Sequence, residues 1–256
     1  MLQCQIFSLG YERKEVLHDV SFGLERGEFV AVIGRNGSGK STLLHTVCGL
    51  LPCRGSVRLD GQDLLSLSPR ERARRVALMQ QQPALPHIKV RELVAMGRSP
   101  YQSLNGTSTP DCTRAIAAAL HDAELTDLAD AYLDCLSGGE ARRAYLGMML
   151  SQNTPLMLLD EVTAFMDADH EHRFFGLLKG LCRDREKTVL AATHSLSCAM
   201  QYADRLIVVC DGTIGFVGTP NELLDTDIPV RVFGMQPVVL YDNGGRKRIF
   251  FHPLGE

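Results

Sequence analysis

The sequence predicts an α/β fold, with a buried, largely parallel sheet flanked by helices, an antiparallel β layer beside it and an inserted helical lobe. Three observations carry that expectation. Short apolar runs, EFVAVI (28–33), LMLLD (156–160), TVLAAT (188–193) and RLIVVCDG (205–212), are separated by helix-like segments, the pattern of strands buried on both faces. Residues 2–30 alternate short strand-like runs with turn signals. Between Arg91 and Gln152 the strand signal disappears and apolar residues recur at helical spacing.

Composition narrows the functional classes. At 256 residues the chain can bury one substantial core, with or without a smaller appended lobe. A net charge of -3 leaves no basic footprint, so nucleic acid is not an expected partner. No run approaches the ~18 apolar residues of a membrane-spanning helix, and MLQCQIFSLGYERKE lacks the apolar core of a signal peptide, so the chain is not expected to cross a membrane itself. Its eight cysteines form no C-x-x-C pair and read as reduced cytosolic thiols. His45, Cys48 and Cys53 invite a metal reading, but two of them share a helix and no fourth ligand is near in sequence, so packing is expected.

Taken in order, the antiparallel layer continues into SVRLDGQDL (56–64), where Asp60-Gly61 is a hairpin signal. The run EFVAVI leads into GRNGSGKST (34–42), which fits G-x-x-x-x-G-K-[ST] at Gly34, Gly39, Lys40 and Ser41, with Asn36, Gly37, Ser38 and Thr42 in the same stretch. Its glycines permit consecutive N–H groups to turn around an anion at the start of the helix STLLHTVCGL. A nucleoside triphosphate is the expected anion, with Lys40 reaching its β- and γ-phosphates and the Ser41 hydroxyl binding Mg²⁺. A flexible Gly/Ser turn is the alternative, but the strand–loop–helix setting is met. The core is therefore read as a P-loop NTPase of RecA-like type.

The helical subdomain is expected over about 91–152, from RELVAMG, TRAIAAALHDAELTDLAD and EARRAYLGMMLSQ, interrupted by SPYQSLNGTSTPD. LSGGE (136–140) precedes its last helix, and Ser137 reads locally as an N-cap. About twenty residues on, Asp160 and Glu161 end a buried strand, where adjacent carboxylates need a charged or metallic partner. Residues from about 219 to 256 form an appendage with turns at Asn243-Gly244-Gly245 and Pro253. The whole chain, 1–256, is read as a single domain.

The phosphate loop, LSGGE and LMLLDEVT, in that order, resemble the ATP-binding cassette ATPases over essentially the whole length. The resemblance implies that Ser137, Gly138, Gly139 and Glu140 contact ATP held by residues 34–42 of a second copy, so that a homodimer sandwiches two ATP molecules. It implies that Asp160 holds Mg²⁺ and that Glu161 polarises the attacking water. Gln81 in ALMQQQP matches the glutamine that touches Mg²⁺ and senses the helical lobe, with Gln80 and Gln82 open on spacing. His194 matches the switch histidine near the γ-phosphate, Asp167 in AFMD the D-loop, and Tyr11 the ring that stacks on adenine. Departures are Val162 where proline is usual, AFMD for S-x-L-D, and Ser195 where aspartate is common. None removes a catalytic group.

LSLSPRERARRVALMQQ, VRELVAMGRSPY, DADHE and GTPNELLDTDIPVRVFGM are similar to ATPases of importers for iron-siderophores, haem and cobalamin. That resemblance implies a membrane permease dimer as partner, a substrate-binding protein acting through it, and a peripheral location on the cytoplasmic face of the inner membrane. A permease helix is expected near Gln81 to Tyr101. Molybdate-type oxyanion import and soluble iron–sulfur cluster assembly are the alternatives. The arginines at 70, 72, 74 and 75 read as a solvated helix face, and His170 and His172 as surface residues.

Overall fold

A computed structural model of the chain describes residues 1–11, 14–81, 84–102, 110–161, 163, 166–241 and 247–253. Val162, the Ala164-Phe165 part of AFMD, Gln82, most of SPYQSLNGTSTPD and the Asn243-Gly244-Gly245 turn lie outside the described residues.

The chain opens with β1 (Leu2–Tyr11) and β2 (Lys14–Leu24), an antiparallel pair in which Leu2, Cys4 and Ile6 alternate with exposed residues. β4 (Cys53–Leu59) joins the other side of β1, and the Asp60-Gly61 turn returns it into β5 (Gln62–Asp63). The antiparallel layer thus has the order β2-β1-β4-β5. One face is buried and one is wet, as alternation requires.

The second sheet contains β3 (Phe29–Ile33), β6 (Val76–Met79), β7 (Leu156–Asp160), β8 (Thr188–Ala192), β9 (Arg205–Cys210) and β10 (Thr213–Gly218), in the order β10-β9-β3-β8-β7-β6. The first pairing, β10 with β9, is antiparallel and the others are parallel. Every residue of β3, β7 and β8 is buried, because both faces are covered. Val30, Val32, Leu158 and Leu190 face the antiparallel layer and α1 (Lys40–Val47), which shares that core. Met157, Leu159, Val189 and Ala191 face α6 (Ala168–Arg185), while Ala31, Ile33, Leu206 and Val208 meet α7 (Leu196–Tyr202) and the tail. β6 and β10 extend the sheet beyond the four strands expected.

The helical region comprises α3 (Val90–Met96), α4 (Pro110–Asp122) and α5 (Gly138–Gln152), packed on one another through Leu93, Val94, Ala119, Ala144 and Leu146. The helix expected through residue 130 ends at Asp122: Glu124 takes a left-handed φ of 56°, and a short 3₁₀ turn (Thr126–Leu128) follows. α2 (Pro69–Arg72) also departs from expectation, because its arginines are not simply solvated. Arg70 and Arg74 donate to the Pro100 carbonyl at 3.0 and 2.9 Å, and Arg70 also donates to the Gln102 carbonyl. The Arg74 and Arg98 guanidiniums lie 5.3 and 4.0 Å from the Tyr101 ring centre. The carbonyl bonds of Arg70 tie α2 to the segment after α3, and Arg74, just beyond α2, adds a cationic contact to the Tyr101 face. The tail is α8 (Pro220–Leu224), α9 (Ile228–Phe233) and a hairpin of β11 (Met235–Tyr241) and β12 (Lys247–Pro253). Cys4, Cys48, Cys53, Cys135, Cys182, Cys198 and Cys210 are free thiols. Among the described residues no helix is long and apolar enough to cross a membrane.

Candidate functional site

The site is built where β3 runs into α1 and β7 ends beside it. Gly39 caps α1 with a φ of 107°, and no side chain bonds the first turn. Gly37 also has a positive φ, 77°. A Cβ on Gly39 would lie 2.9 Å from Leu17 Cδ2, so the position is closed to other residues by both backbone and packing. The consequence is a helix N-terminus whose leading N–H groups lack a side-chain cap, with the positive end of its dipole at the loop.

Lys40 is the first residue of α1 and only 3% exposed. Its Nζ donates to the carbonyls of Gly34 at 3.1 Å and Arg35 at 3.3 Å and pairs with Glu161 Oε1 at 2.9 Å. A buried ammonium demands such partners. One residue on, the Ser41 hydroxyl donates to Asp160 Oδ1 at 2.8 Å. His45 Nε2 stands 3.8 Å from Asp160 Oδ2, beyond hydrogen-bond distance. Burial pushes the Asp160 carboxyl above its ordinary range, opposed by the Ser41 hydrogen bond.

Glu161 follows the last residue of β7 and has a φ of 45°, a left-handed conformation that costs a non-glycine residue roughly 1–3 kcal/mol. Its N–H donates to the Ala192 carbonyl at the end of β8, 3.0 Å away. The bend turns its carboxylate toward Lys40 on one side and Gln81 on the other, with Gln81 Nε2 donating to Oε2 at 3.1 Å. Tyr11, Lys14, Asn36, Gly37, Gly39, Lys40, Ser41, Thr42, Gln81 and Glu161 line a cleft of about 560 Å³, together with Glu15 and Val16.

The other sequence-derived residues lie around or apart from this cleft. Tyr11, at the end of β1, is 51% exposed and lines the cleft. Gln80 is exposed and does not line the cleft. Gly34 closes the start of the loop, since a Cβ there would crowd the Val209 carbonyl, and Ser38 lies on its outer side with Arg35. Ser137, Gly138, Gly139 and Glu140 are outside the cleft. They open α5, where the Ser137 hydroxyl accepts from the Glu140 N–H and the Glu140 carboxylate accepts from the Ser137 N–H and hydroxyl. Asp167 caps α6 by accepting from the His170 N–H at 2.9 Å, and its carboxylate lies 2.8 Å from His170 Nδ1. His194 is exposed just beyond β8, outside the cleft lining. His172 is not a plain surface residue: its Nδ1 is 3.2 Å from the Tyr202 hydroxyl. Lys14 and Val16 reach the cleft only through the tertiary fold, which no local sequence signal announces. Among the described residues no cluster of three or more His, Cys, Asp or Glu side chains has metal-binding geometry.

Comparison with known proteins identifies the family. The profile of the ABC transporter family matches residues 17–164. The chain is 37% identical over 243 residues to the ferric enterobactin transport ATP-binding protein of Escherichia coli (strain K12), spanning 94% of this chain and 90% of that protein. It is 40% identical over 232 residues to the hemin import ATP-binding protein of Nocardia farcinica (strain IFM 10152), spanning 90% and 79%. Among solved structures, an inward-facing metal-chelate type ABC transporter superposes with a TM-score of 0.87 at 23% identity, covering 100% of this chain and 98% of that chain. A dimeric ATP-binding cassette bound to ADP and Pi superposes at 0.72 with 26% identity, covering 86% and 99%.

Proposed function

The chain belongs to the ABC transporter family, and from that premise we propose that it is the ATP-hydrolysing subunit of a metal-chelate importer, of the iron-siderophore, haem or cobalamin type. The observation that carries the chemistry is the convergence of Lys40, Ser41, Asp160, Gln81 and Glu161 on one cleft at an uncapped helix N-terminus. The relatives' named roles support the chelate class.

ATP enters with adenine against Tyr11, and its phosphates take the N–H groups of residues 34–42. The γ-phosphate competes for Lys40, which now neutralises Glu161. Binding of substrate thus releases the carboxylate that has to orient water and accept its proton. Gln81 holds that carboxylate from the other side, so its movement with the helical lobe regulates when Glu161 is aimed. His194 approaches the γ-phosphate from the loop after β8 once the site closes. Mg²⁺ fits the donor set: the Ser41 hydroxyl, the Asp160 carboxylate and the Gln81 carbonyl are hard oxygens, and the raised Asp160 carboxyl is one that a cation would restore to its charged form. When bound, Mg²⁺ supplies charge neutralisation on the phosphates.

Ser137 to Glu140 stand apart from their own chain's cleft, which supports completion of each site by a second copy, with Asp167 at the seam. The 1–256 unit then works as one nucleotide-binding domain, its lobe over about 91–152 and the tail from about 219 appended. A permease dimer docks beside Gln81 to Tyr101 on the cytoplasmic face of the membrane, and a substrate-binding protein delivers cargo to it. Affinity capture of the chain from detergent-solubilised membranes of its own cells tests this reading. A polytopic membrane protein held in stoichiometric amount is the expected result, and capture of a soluble cluster-assembly scaffold instead would overturn it.

A further inference from the structure

We infer that Glu171 is a positioning residue for hydrolysis, its carboxylate tying the turn that carries Glu161 to the loop that carries His194. The Thr163 hydroxyl donates to Glu171 Oε1 at 2.9 Å, and the Ser195 hydroxyl donates to Oε2 at 3.0 Å. Thr163 lies two residues beyond Glu161 and is only 3% exposed; Ser195 is next to His194. One carboxylate therefore spans the ends of two neighbouring parallel strands, β7 and β8, on the side where both loops leave the sheet.

The support behind this carboxylate is rigid. Glu171 sits in the first turn of α6, whose Phe174, Phe175 and Leu178 are buried against the sheet. Ser195 is fixed as well: its N–H donates to Thr193 Oγ1 at 3.0 Å, and its carbonyl accepts from the Ala199 N–H at 3.0 Å. The backbone bond from the Glu161 N–H to the Ala192 carbonyl links the same two strand ends, so the Glu171 bridge is a second link between them. A 1 Å displacement of a group that orients water costs on the order of 10²-fold in rate, which sets the value of such a link.

The bridge has a polarity. An ionised carboxylate only accepts, so both facing groups must donate, and hydroxyls at 163 and 195 do so. A second carboxylate at 195 would face Glu171 acceptor to acceptor. This gives a physical reason for serine at a position where aspartate would repel its neighbour. Exchanging the polarity of both partners would restore the link, since an amide at 171 can donate toward 195 while still accepting from Thr163.

The inference rests on Glu161 and His194 being the hydrolytic pair, and the test separates the two ideas. Ser195→Asp, Glu171→Gln, the two combined, Thr163→Val and Glu161→Gln are compared in the full chain for kcat, KM for ATP and melting temperature. Ser195→Asp is expected to lower kcat by about 10- to 100-fold, with KM for ATP within about twofold of wild type. Combining it with Glu171→Gln should recover at least about tenfold of that loss, the coupling expected of residues in contact. Thr163→Val, which keeps shape and removes one donor, should lower kcat with KM unchanged, so the idea stays testable if Ser195→Asp melts early. A double variant no better than Ser195→Asp, or a Thr163→Val enzyme with full kcat, would overturn the inference while an inactive Glu161→Gln left the site reading intact. Full turnover in Glu161→Gln would overturn both.

Discussion

Two helices of this protein begin at glycine-containing motifs, and they are built in opposite ways. α1 starts at Gly39 in a left-handed conformation with no side-chain cap on its first turn, and its first residue is a lysine buried to 3% exposure. α5 starts at Ser137 with a complete capping box, exposed to solvent, in which Ser137 and Glu140 satisfy one another's donors. An unfilled N-terminus beside a buried ammonium is a site waiting for an anion. A filled one is a finished local structure that presents an already rigid edge to something else. On the proposed function, the start of α1 holds the phosphates of its own chain's ATP, and Ser137 to Glu140 complete the site of a second copy.

The sharpest way to break that comparison is to disarm the first region while leaving its shape. Glu161→Gln keeps the side-chain length but removes the carboxylate paired with Lys40, so hydrolysis should fall by about 10²- to 10⁴-fold while ATP still binds. Steady-state turnover alongside equilibrium nucleotide binding checks it, and near-normal turnover would leave Glu161 without its role.

Asp160→Asn should cost turnover less absolutely, because added Mg²⁺ compensates a weakened metal site in a way that it cannot compensate a lost base. Titrating Mg²⁺ against both variants distinguishes them. The same substitution has a stability signature of opposite sign. Burial raises the Asp160 carboxyl above 3.8, so between that value and the raised one the folded chain holds a proton that the unfolded chain has lost. Stability from this group therefore declines as pH rises through the window. Asp160→Asn removes the decline, and nucleotide-free thermal melts should show a flatter acid-side profile with no loss of melting temperature at neutral pH.

The smallest effect belongs to the start of α5. Ser137→Ala removes one cap and should cost about 0.5–2 kcal/mol of stability, measured by denaturant melts, with nucleotide binding to the isolated chain unchanged. A comparable loss of ATP affinity in the monomer would mean that α5 already serves its own chain's cleft.

Much of this was legible from residue pattern. The β-branched runs located β3, β7, β8 and β9 because strands buried on both faces leave little room for polar residues. The spacing of Gly39, Lys40 and Ser41 located the loop because phosphate geometry dictates it. Elsewhere pattern ran out for physical reasons. β6 is four residues long and follows an arginine run, too short to show a period. Three consecutive glutamines are chemically alike, and the one that reaches Glu161 is set by a bond across 80 residues of sequence. His45 meets Asp160, and Glu171 joins Thr163 to Ser195, only through the packing of α1 and α6 on the sheet. Ser137, read locally as an N-cap, is one.

Mixing two inactive variants tests whether each working site takes its two halves from different chains. Lys40→Ala disables the phosphate loop and leaves α5 intact; Ser137→Arg blocks the start of α5 with a bulky charge and leaves the loop intact. In a mixed dimer one site collects both defects and the other is whole. The mixture is expected to hydrolyse ATP well above either variant alone, with mixed dimers confirmed by differential tagging and size-exclusion chromatography. Mixed dimers that hydrolyse no faster than the separate variants would contradict this and show that each chain completes its own site.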